Sequence, residues 1–562
     1  MYSGCCRGAF HTSGPGKTEA ESACKFPFIL YDALTPPKCR RNQRNDVCEQ
    51  VCSVIVKVLS SAVVGIDSFP VDVEVDISRG LPQFSTVGLP DTAVKESRDR
   101  IKAAMKNSGY PFPENRVTVN LAPADIRKEG TGFDLPIALG ILAAEGLVER
   151  DRLRDFLVTG ELSLDGRVKG VQGVLPSAFM ARAQKLGGLI VPAENAGEAA
   201  LVQGLEVIPV GFLSDLVDFL NGAKEIPAVT GGAEAACGSA RAYPVDFSEI
   251  QGQQQARRAM EVAAAGGHNI LLTGPPGSGK TMLAQRIPTI LPELSFEEAL
   301  ETTKIYSVAG LLDRREATVA TRPFRAPHHT VSDAGLVGGG HTPKPGEISL
   351  AHNGVLFLDE LPEFKRNVLE VLRQPLEDGQ VTITRSVITA TFPSRFMLVA
   401  AMNPCPCGYL ADARKTCRCS SQQVRQYRSK VSGPLLDRID IHVEVPSLPY
   451  RELAGSGRGE SSAAVRGRVQ TARAIQQRRF SGGPAGLNAR MTGRQLKEFC
   501  PVGEESRELL EMAVDRLGLS ARAYTRVLKV ARTIADLEGE ATIGPGHVAE
   551  AIQYRALDRS VV

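Results

Sequence analysis

Residues 274–281, with the sequence GPPGSGKT, are of the types and spacing that bind phosphate groups. A predicted strand, residues 268–273, precedes them, and a helical pattern begins at Met282. In this arrangement, known as a phosphate loop, glycines let backbone N–H groups close around phosphate oxygens. A lysine then neutralises the β- and γ-phosphates, and a hydroxyl ligates Mg²⁺. We therefore predict a nucleotide site formed by Gly274, Pro275, Pro276, Gly277, Ser278, Gly279, Lys280 and Thr281.

Two later apolar stretches end in polar side chains that suit nucleotide hydrolysis. Asp359 and Glu360 follow the first stretch, and Asn403 follows the second. A buried strand that ends in two acids would hold Asp359 near Mg²⁺ and Glu360 where it can polarise the attacking water. Asn403 could orient the same water. The pattern predicts hydrolysis of the bound nucleotide.

Two Cys-x-Cys pairs follow Asn403 within a short segment, and their cysteines are Cys405, Cys407, Cys417 and Cys419. Four thiolates could hold one structural Zn²⁺ in a tetrahedron, which leaves no open position for chemistry. The spacing is tighter than the usual two-residue gap, so reduced structural cysteines are an equally good interpretation. A disulfide framework is not expected in a large chain with a nucleotide site.

The chain of 562 residues is long enough for about three domains, and its net charge of +3 is close to neutral. Its longest apolar run, residues 135–144, is too short to cross a bilayer and predicts a buried helix. No basic segment followed by an apolar stretch opens the sequence. We expect a cytoplasmic protein without a membrane partner.

Hydrophobic periodicity divides the chain into an α/β region, a linker, a second α/β region and a helical end. The expected bounds are 54–223, 224–245, 246–446 and 447–562. Strand-like alternation at residues 71–77 and 116–121, and helical patterns at residues 92–107 and 135–144, define the first region.

Residues 1–53 lack periodicity and contain six of the twelve cysteines. We interpret them as a disordered extension or as the product of an upstream start that the protein does not use. A cysteine-rich metal module is the alternative, although the spacings match no ligand pattern.

Four further stretches carry a resemblance to a known family: RPFRAPHHT at 322–330, KPGEISLAH at 344–352, GPLLDRID at 433–440 and ARTIADL at 531–537. Together with the phosphate loop, they resemble the AAA+ ATPases, and more narrowly the magnesium-chelatase-like branch of the YifB/ComM type. The resemblance covers the chain from about residue 54 to residue 555. It implies an AAA+ P-loop core with a C-terminal helical lid, ATP and Mg²⁺ as substrate and cofactor, and a homo-oligomeric ring, a hexamer.

The same resemblance assigns two arginines. Arg438 would be the arginine finger, which completes the nucleotide site of the next subunit and stabilises charge at the γ-phosphate. A simple pair with Asp437 or Asp440 is the alternative. Arg522 matches the second-sensor position at a helix start, and Arg526, one turn later, is the reserve candidate.

Residues 54–222 resemble the α/β fold of the Lon peptidase domain, notably in TGELSLDGRV at 159–168. Lon-type peptidases use a serine nucleophile that is activated by a lysine. Here residues 130–134 have glycine at the serine's place, and residues 175–177 contain no lysine. We expect a non-catalytic domain that binds DNA or a partner.

Residues 380–390 alternate apolar and polar side chains around a polar tip, which predicts a β-hairpin. In related ring helicases a hairpin at this position places a basic tip in the central pore. Arg385 is therefore our candidate for binding a DNA phosphate, and a solvated charge is the alternative. Two stretches without acids, residues 413–436 and 461–497, add local positive charge.

The resemblance implies an ATP-driven ring that moves or remodels single-stranded or branched DNA, as in branch migration during recombination or natural transformation. One alternative is a chelatase-like ATPase that remodels a protein partner. Another is an ATP-dependent switch that binds DNA without moving it.

Overall fold

The computed structural model describes residues 55–231, 243–313, 317–340, 342–385, 389–410, 412, 415–448, 459–480 and 486–555. The chain divides into two units, Met1–Cys52 and Ser53–Val562, and every described residue belongs to the second. The predicted extension therefore lies outside the described residues, as does much of the predicted linker. We refer below to an N-terminal region (55–223), a central region (243–448) and a C-terminal region (459–555).

The N-terminal region contains a four-stranded sheet with the order β1-β2-β4-β3. Its strands are β1 (Val56–Val64), β2 (Asp67–Ser78), β3 (Gln83–Val87) and β4 (Arg116–Ala122). Strand β2 is antiparallel to β1 and β4, whereas β3 and β4 are parallel. Val71, Val73 and Val75 are fully buried while their neighbours in β2 face outward. The predicted alternation in β2 is thus confirmed.

A second, parallel sheet in the N-terminal region contains β5 (Phe156–Val158), β8 (Gly188–Pro192) and β9 (Glu206–Val210). Strands β6 (Glu161–Leu162) and β7 (Val168–Lys169) form a separate antiparallel pair. The helices are Thr92–Asn107, Asp134–Ala144, Arg150–Leu153, Val174–Ala183, Ala196–Ala199 and Leu213–Leu220, with a 3₁₀ turn at Ala193–Asn195. Helix Asp134–Ala144 is buried on nearly every side, as its continuous apolar sequence predicted.

The central region is built on a parallel sheet with the order β11-β14-β17-β10-β18. Its strands are β10 (Ile270–Thr273), β11 (Phe324–Arg325), β14 (Val355–Leu358), β17 (Met397–Met402) and β18 (Ile441–Glu444). Every residue of β10, β14 and β17 is buried, as expected for a sheet covered on both faces. This mixed α/β region with a parallel sheet is consistent with a P-loop AAA+ core.

Helices and hairpins surround this sheet. The helices are Gln254–Gly266, Lys280–Ile290, Phe296–Ala309, Asp333–Val337, Glu347–Leu350, Arg366–Val371, Arg373–Asp378, Ser421–Arg428 and Gly433–Leu436, with 3₁₀ turns at Phe247–Glu249 and Leu361–Glu363. Strands β15 (Gln380–Thr384) and β16 (Thr389–Pro393) pair antiparallel, which confirms the predicted hairpin. A shorter pair, β12 (Gly338–Gly339) and β13 (Lys344–Pro345), is also antiparallel.

The C-terminal region is helical, as predicted, and its helices are Ser462–Arg479, Gly493–Phe499, Glu504–Leu517, Ala521–Glu538 and Pro545–Gln553, with a 3₁₀ turn at Asn488–Arg490. It shares one hydrophobic core with the central region. No helix in the described part of the chain is long and apolar enough to cross a membrane.

The N-terminal region contacts helix Phe296–Ala309 of the central region through polar groups. Lys304 lies 2.8 Å from a carboxylate oxygen of Asp67. The Ser307 hydroxyl donates to the buried Glu198, which also accepts from the backbone N–H of Leu175. Burial raises the pKa of Glu198, and these donors oppose that shift.

Candidate nucleotide-binding site

The three predicted polar segments meet at the carboxyl edge of the parallel sheet. The phosphate loop follows β10, the Asp359–Glu360 pair follows β14, and Asn403 follows β17. Strand β17 lies between β14 and β10 in the sheet, so the three segments are neighbours although they are far apart in sequence. Parallel sheets bind ligands at this edge, beyond the carboxyl ends of the strands.

Glycines set the shape of the phosphate loop. Gly277 and Gly279 have φ angles of 75° and 91°, in the left-handed region that favours glycine. A Cβ atom at Gly274 would lie 2.1 Å from the carbonyl oxygen of Val445, so only glycine fits against the end of β18. The loop leads directly into helix Lys280–Ile290, whose N-terminal N–H groups suit an anion.

The Lys280 ammonium is held at the centre of the site by neutral oxygens. It donates to the carbonyls of Gly274 (2.8 Å) and Pro275 (2.9 Å) and to Oδ1 of Asn403 (3.2 Å). Burial lowers the pKa of Lys280, although Asp359 and Glu360 oppose the shift. A buried cation whose direct partners are all uncharged fits an anionic ligand such as a triphosphate.

Thr281 and Asp359 are brought together as the sequence predicts. The Thr281 hydroxyl donates to Oδ2 of Asp359 at 2.7 Å. Hydroxyl and carboxylate oxygens are the hard ligands that Mg²⁺ prefers, so this pair fits the ion that accompanies a nucleotide. The two residues come from segments that follow different strands, β10 and β14, so the pair depends on the fold rather than on one loop.

Glu360 occupies an uncommon backbone conformation next to this pair. Its φ angle is 53°, and its backbone N–H donates to Oδ1 of Asp359 at 2.9 Å. Non-glycine residues held in this region are enriched at functional sites. The Glu360 carboxylate lies 3.5 Å from Nδ1 of His329. His329 contacts the ring of His328, with 4.0 Å between the ring centroids.

The arginines assigned to the γ-phosphate lie elsewhere. The Arg438 side chain is buried, donates to the carbonyl of Pro434 at 2.7 Å, and pairs with Glu377 at 2.5 Å. The half-exposed Arg522 lies 3.9 Å from the same Glu377 oxygen. Among the described contacts, Arg438 pairs with neither Asp437 nor Asp440, the two partners considered from the sequence. Asp440 pairs instead with Arg526. Sequence reasoning missed Glu377, and no local pattern marks it.

Arg438, Arg522 and Arg526 form an arginine cluster. It lies at the amino edge of the sheet, opposite the phosphate loop. Arg438 precedes β18, which runs parallel to β10, whereas the phosphate loop follows β10. A four-residue strand separates the two edges by about 13 Å. Within one chain, therefore, Arg438 and Arg522 are not part of the site that contains Lys280.

Most of the chain is similar to known proteins. Family models match three segments: "Magnesium chelatase, subunit ChlI" at residues 246–453, "Subunit ChlI of Mg-chelatase" at residues 73–195, and "Magnesium chelatase, subunit ChlI C-terminal" at residues 459–555. Competence protein ComM of Haemophilus influenzae is 47% identical over 504 residues, which is 89% of this chain and 97% of that protein. The chain belongs to the YifB/ComM family of magnesium-chelatase-like proteins.

Other relatives agree with this membership. YifB of Escherichia coli is 45% identical over 509 residues, which is 90% of this chain and 98% of that protein. The magnesium-chelatase 38 kDa subunit of Rhodobacter capsulatus is more distant. It is 28% identical over 185 residues, which is 29% of this chain and 52% of that subunit.

A cationic cavity of about 440 Å³ opens at the amino edge of this YifB/ComM-family protein, beside the arginine cluster. It is lined by Arg395, Arg490, Arg526 and Lys529 together with Glu377, Asp378 and Asp440. No carboxylate among the described residues lies within ion-pair distance of Arg395, Arg490 or Lys529. Burial, together with the charge of Arg526, lowers the pKa of Lys529 to about 8. The cavity thus has the chemistry of an anion site, which the sequence had not predicted.

The four predicted cysteines lie together beside the nucleotide site, and their Sγ atoms are all within 4.8 Å of one another. The Sγ atom of Cys405 lies 3.4 Å from that of Cys407 and 3.7 Å from that of Cys417, and Cys407 and Cys417 are 3.6 Å apart. Thiolates at about 2.3 Å from one tetrahedral Zn²⁺ would be about 3.8 Å from each other. The donor set and its spacing therefore fit zinc.

Arg385 is exposed at the end of β15, and residues 386–388 are outside the described residues. Its guanidinium lies beside Gly339 in the β12–β13 pair. The exposed Lys344 belongs to the same pair. The two hairpins thus present basic side chains on one surface.

Proposed function

We propose that this protein is an ATP-hydrolysing ring motor that acts on DNA, as a helicase or branch-migration translocase in recombination or natural transformation. The observation that carries the proposal is the convergence of Lys280, Thr281, Asp359, Glu360 and Asn403 at one sheet edge. The relative ComM is named a competence protein, which supports the assignment to transformation.

At the carboxyl edge, each side chain has a separate role in ATP binding or hydrolysis. The loop N–H groups and Lys280 bind the β- and γ-phosphates of ATP, and Lys280 exchanges its carbonyl partners for phosphate oxygens. Thr281 and Asp359 hold Mg²⁺, which supplies charge neutralisation at the phosphates when bound. Glu360 takes the proton of the attacking water, and Asn403 orients that water.

At the amino edge, Arg438 and Arg522 act on the nucleotide of the neighbouring subunit. The separation of the two edges within one chain supports this arrangement, because a head-to-tail contact would join the amino edge of one chain to the carboxyl edge of the next. The cationic cavity supports it as well, since its excess positive charge suits a neighbour's phosphates. Closure of such contacts gives a ring, which we assign as a hexamer.

DNA binding is assigned to the hairpin surface. Arg385, at the end of β15, would bind a backbone phosphate in the centre of the ring. The neighbouring Lys344 adds charge to the same surface. Sequence-independent contacts of this kind suit a motor that moves along DNA.

We assign residues 54–223 to a Lon-like domain without peptidase chemistry, 246–446 to the AAA+ core and 447–562 to a helical lid. Residues 224–245 are then a linker and residues 1–53 an extension. Gly132 and Ser177 line one cavity of about 400 Å³, so the two segments compared with the Lon active site do meet. Neither residue supplies the serine–lysine pair that such a peptidase needs.

A second candidate is a chelatase-like ATPase that remodels a protein partner. The three family models, each named for a magnesium-chelatase subunit, favour it. Both candidates use the same ATP site, so only the polymer or partner that stimulates hydrolysis separates them.

The test is steady-state ATP hydrolysis without polymer and with single-stranded DNA, duplex DNA or a four-way junction. Glu360→Gln supplies the blank. Stimulation by DNA, greatest on the junction, is expected for the wild type, and Arg385→Ala should lose it while retaining basal hydrolysis. Arg154→Ala, at a highly exposed arginine of the N-terminal region, is the matched control. Hydrolysis that no DNA changes would overturn the DNA motor and favour the second candidate.

A further inference from the structure

The cysteine segment begins directly after Asn403, the side chain that contacts Lys280. Only Pro404 separates Asn403 from Cys405, which is fully buried. The carbonyl of Pro404 accepts from Nε of Arg428 at 3.2 Å. Any shift of the cysteine segment would therefore move the backbone that holds Asn403 in the nucleotide site.

The same segment packs against the phosphate loop at a second point. Gly408 has a φ angle of 84°, and a Cβ atom there would lie 2.5 Å from Cδ of Pro276. Its N–H donates to the carbonyl of Cys405 at 2.9 Å, which closes a tight turn over Pro276. The turn thus forms a wall of the phosphate loop, and only glycine fits at the contact.

Backbone N–H groups around the cysteines point at sulfur atoms. The N–H of Cys419 donates to Sγ of Cys417 at 3.5 Å, and the N–H groups of Tyr409 and Arg418 lie near Sγ of Cys407. N–H donors stabilise thiolate rather than thiol, and thiolate is the form that binds metal.

A metal explains this arrangement better than a disulfide does. A disulfide joins two sulfurs at about 2.0 Å and leaves the others aside, whereas here three sulfurs are nearly equidistant and the fourth lies close by. The residues between Cys407 and Cys417 are mostly polar or small, so the segment has little apolar surface with which to hold its own shape. Metal-linked loops obtain their folding free energy from the metal.

We propose that Cys405, Cys407, Cys417 and Cys419 hold one structural Zn²⁺, and that the metal-closed segment positions Asn403 and Pro276 for binding ATP. The second half rests on the proposed function, because it concerns the same nucleotide site. Four protein thiolates leave no position for water on the metal, so its part is to hold the segment in shape.

The test begins with the metal content of protein purified with its cysteines reduced. One zinc per chain is expected, and replacement by Co²⁺ should give the charge-transfer absorption of a tetrathiolate site. Binding of a non-hydrolysable ATP analogue should then change the Co²⁺ spectrum, because the metal segment touches the phosphate loop. A spectrum that is identical with and without the analogue, although the analogue binds, would contradict the coupling.

The second measurement is the affinity for that analogue. Zinc-stripped wild type and the double variant Cys417→Ser/Cys419→Ser should bind it on the order of tenfold more weakly. Added zinc should restore the stripped wild type but not the variant. Cys500→Ser, at a buried cysteine of the C-terminal region, is the matched control and should keep both zinc and affinity. Circular dichroism checks that each protein is folded.

The outcomes separate this inference from the proposed function. Folded protein that takes up no zinc and still binds the analogue tightly overturns the inference and leaves the ATP site standing. Protein that contains one zinc but binds no analogue overturns the ATP site and, with it, the coupling. Equal affinity with and without zinc overturns the coupling alone.

Discussion

The two edges of the central sheet differ in how their charges are balanced. At the carboxyl edge, the acids Asp359 and Glu360 lie beside Lys280, and each of the three comes from a segment that directly follows a strand. At the amino edge, cations collect from distant parts of the chain, and several have no carboxylate partner among the described residues. One edge therefore has the groups to bind a nucleotide, and we propose that the other completes the site of another subunit.

The largest expected effect on ATP hydrolysis comes from mixing two variants, one defective at each edge. Lys280→Ala disables the carboxyl edge and Arg522→Ala the amino edge, so each alone should reduce ATP hydrolysis at least about 100-fold. A one-to-one mixture should recover about a quarter of wild-type hydrolysis, because random rings pair two intact edges at that frequency. Steady-state hydrolysis of the mixture against its components is the measurement.

The control for this mixture uses two defects on one edge. Lys280→Ala mixed with Glu360→Gln leaves every carboxyl edge damaged and should recover nothing. Equal recovery in both mixtures, or in neither, would show that the two edges do not meet across a subunit contact.

A smaller effect is expected from Glu377→Gln at the amino edge. Glu377 pairs with Arg438 and lies 3.9 Å from Arg522, so both guanidinium groups must leave this carboxylate before they can meet a neighbour's phosphates. The variant removes that competition. It should lower the protein concentration required for assembly-dependent hydrolysis roughly two- to threefold. Glu370→Gln, on the preceding helix, is the control. A higher concentration requirement would instead mean that Glu377 orients the arginines.

The pH dependence of assembly tests the cationic cavity. The pKa of Lys529 is about 8 in the single chain, and an incoming phosphate would raise it, so assembly takes up a proton above that pH. Nucleotide-dependent assembly should weaken several-fold as the pH rises from about 8 to about 10, and stay constant below about 8. Lys529→Met should flatten this dependence, whereas Lys497→Met, at an exposed lysine, should not. Sedimentation velocity gives the measurement, and an unchanged profile in Lys529→Met would exclude the role.

Local sequence patterns predicted the carboxyl edge well. Strands β10, β14 and β17 are short apolar runs that end in the side chains of the site, so each run marks both the strand and its functional tip. Hairpin β15–β16 was predicted for the same reason, because its alternation is contained in one segment. Each of these predictions depended only on residues within one continuous segment of the sequence.

The amino edge could not be predicted in this way. The pair Glu377–Arg438 joins two distant parts of the central region, and the approach of Arg490 and Lys529 to Arg395 depends on how the C-terminal region packs against it. No periodicity links residues that are so far apart in sequence. The cysteines are an intermediate case, since their spacing suggested a cluster, but only the folded segment shows that their sulfurs converge.

The polar contact between the N-terminal region and helix Phe296–Ala309 has a mechanical consequence. Ser307 and Lys304 are held by Glu198 and Asp67, and the same helix contacts helix Glu347–Leu350 through the bond from Tyr306 to the carbonyl of Leu350. Because Thr342 also donates to Glu129, the N-terminal region is joined to the central region at a second point, and a rotation of this helix would strain both contacts.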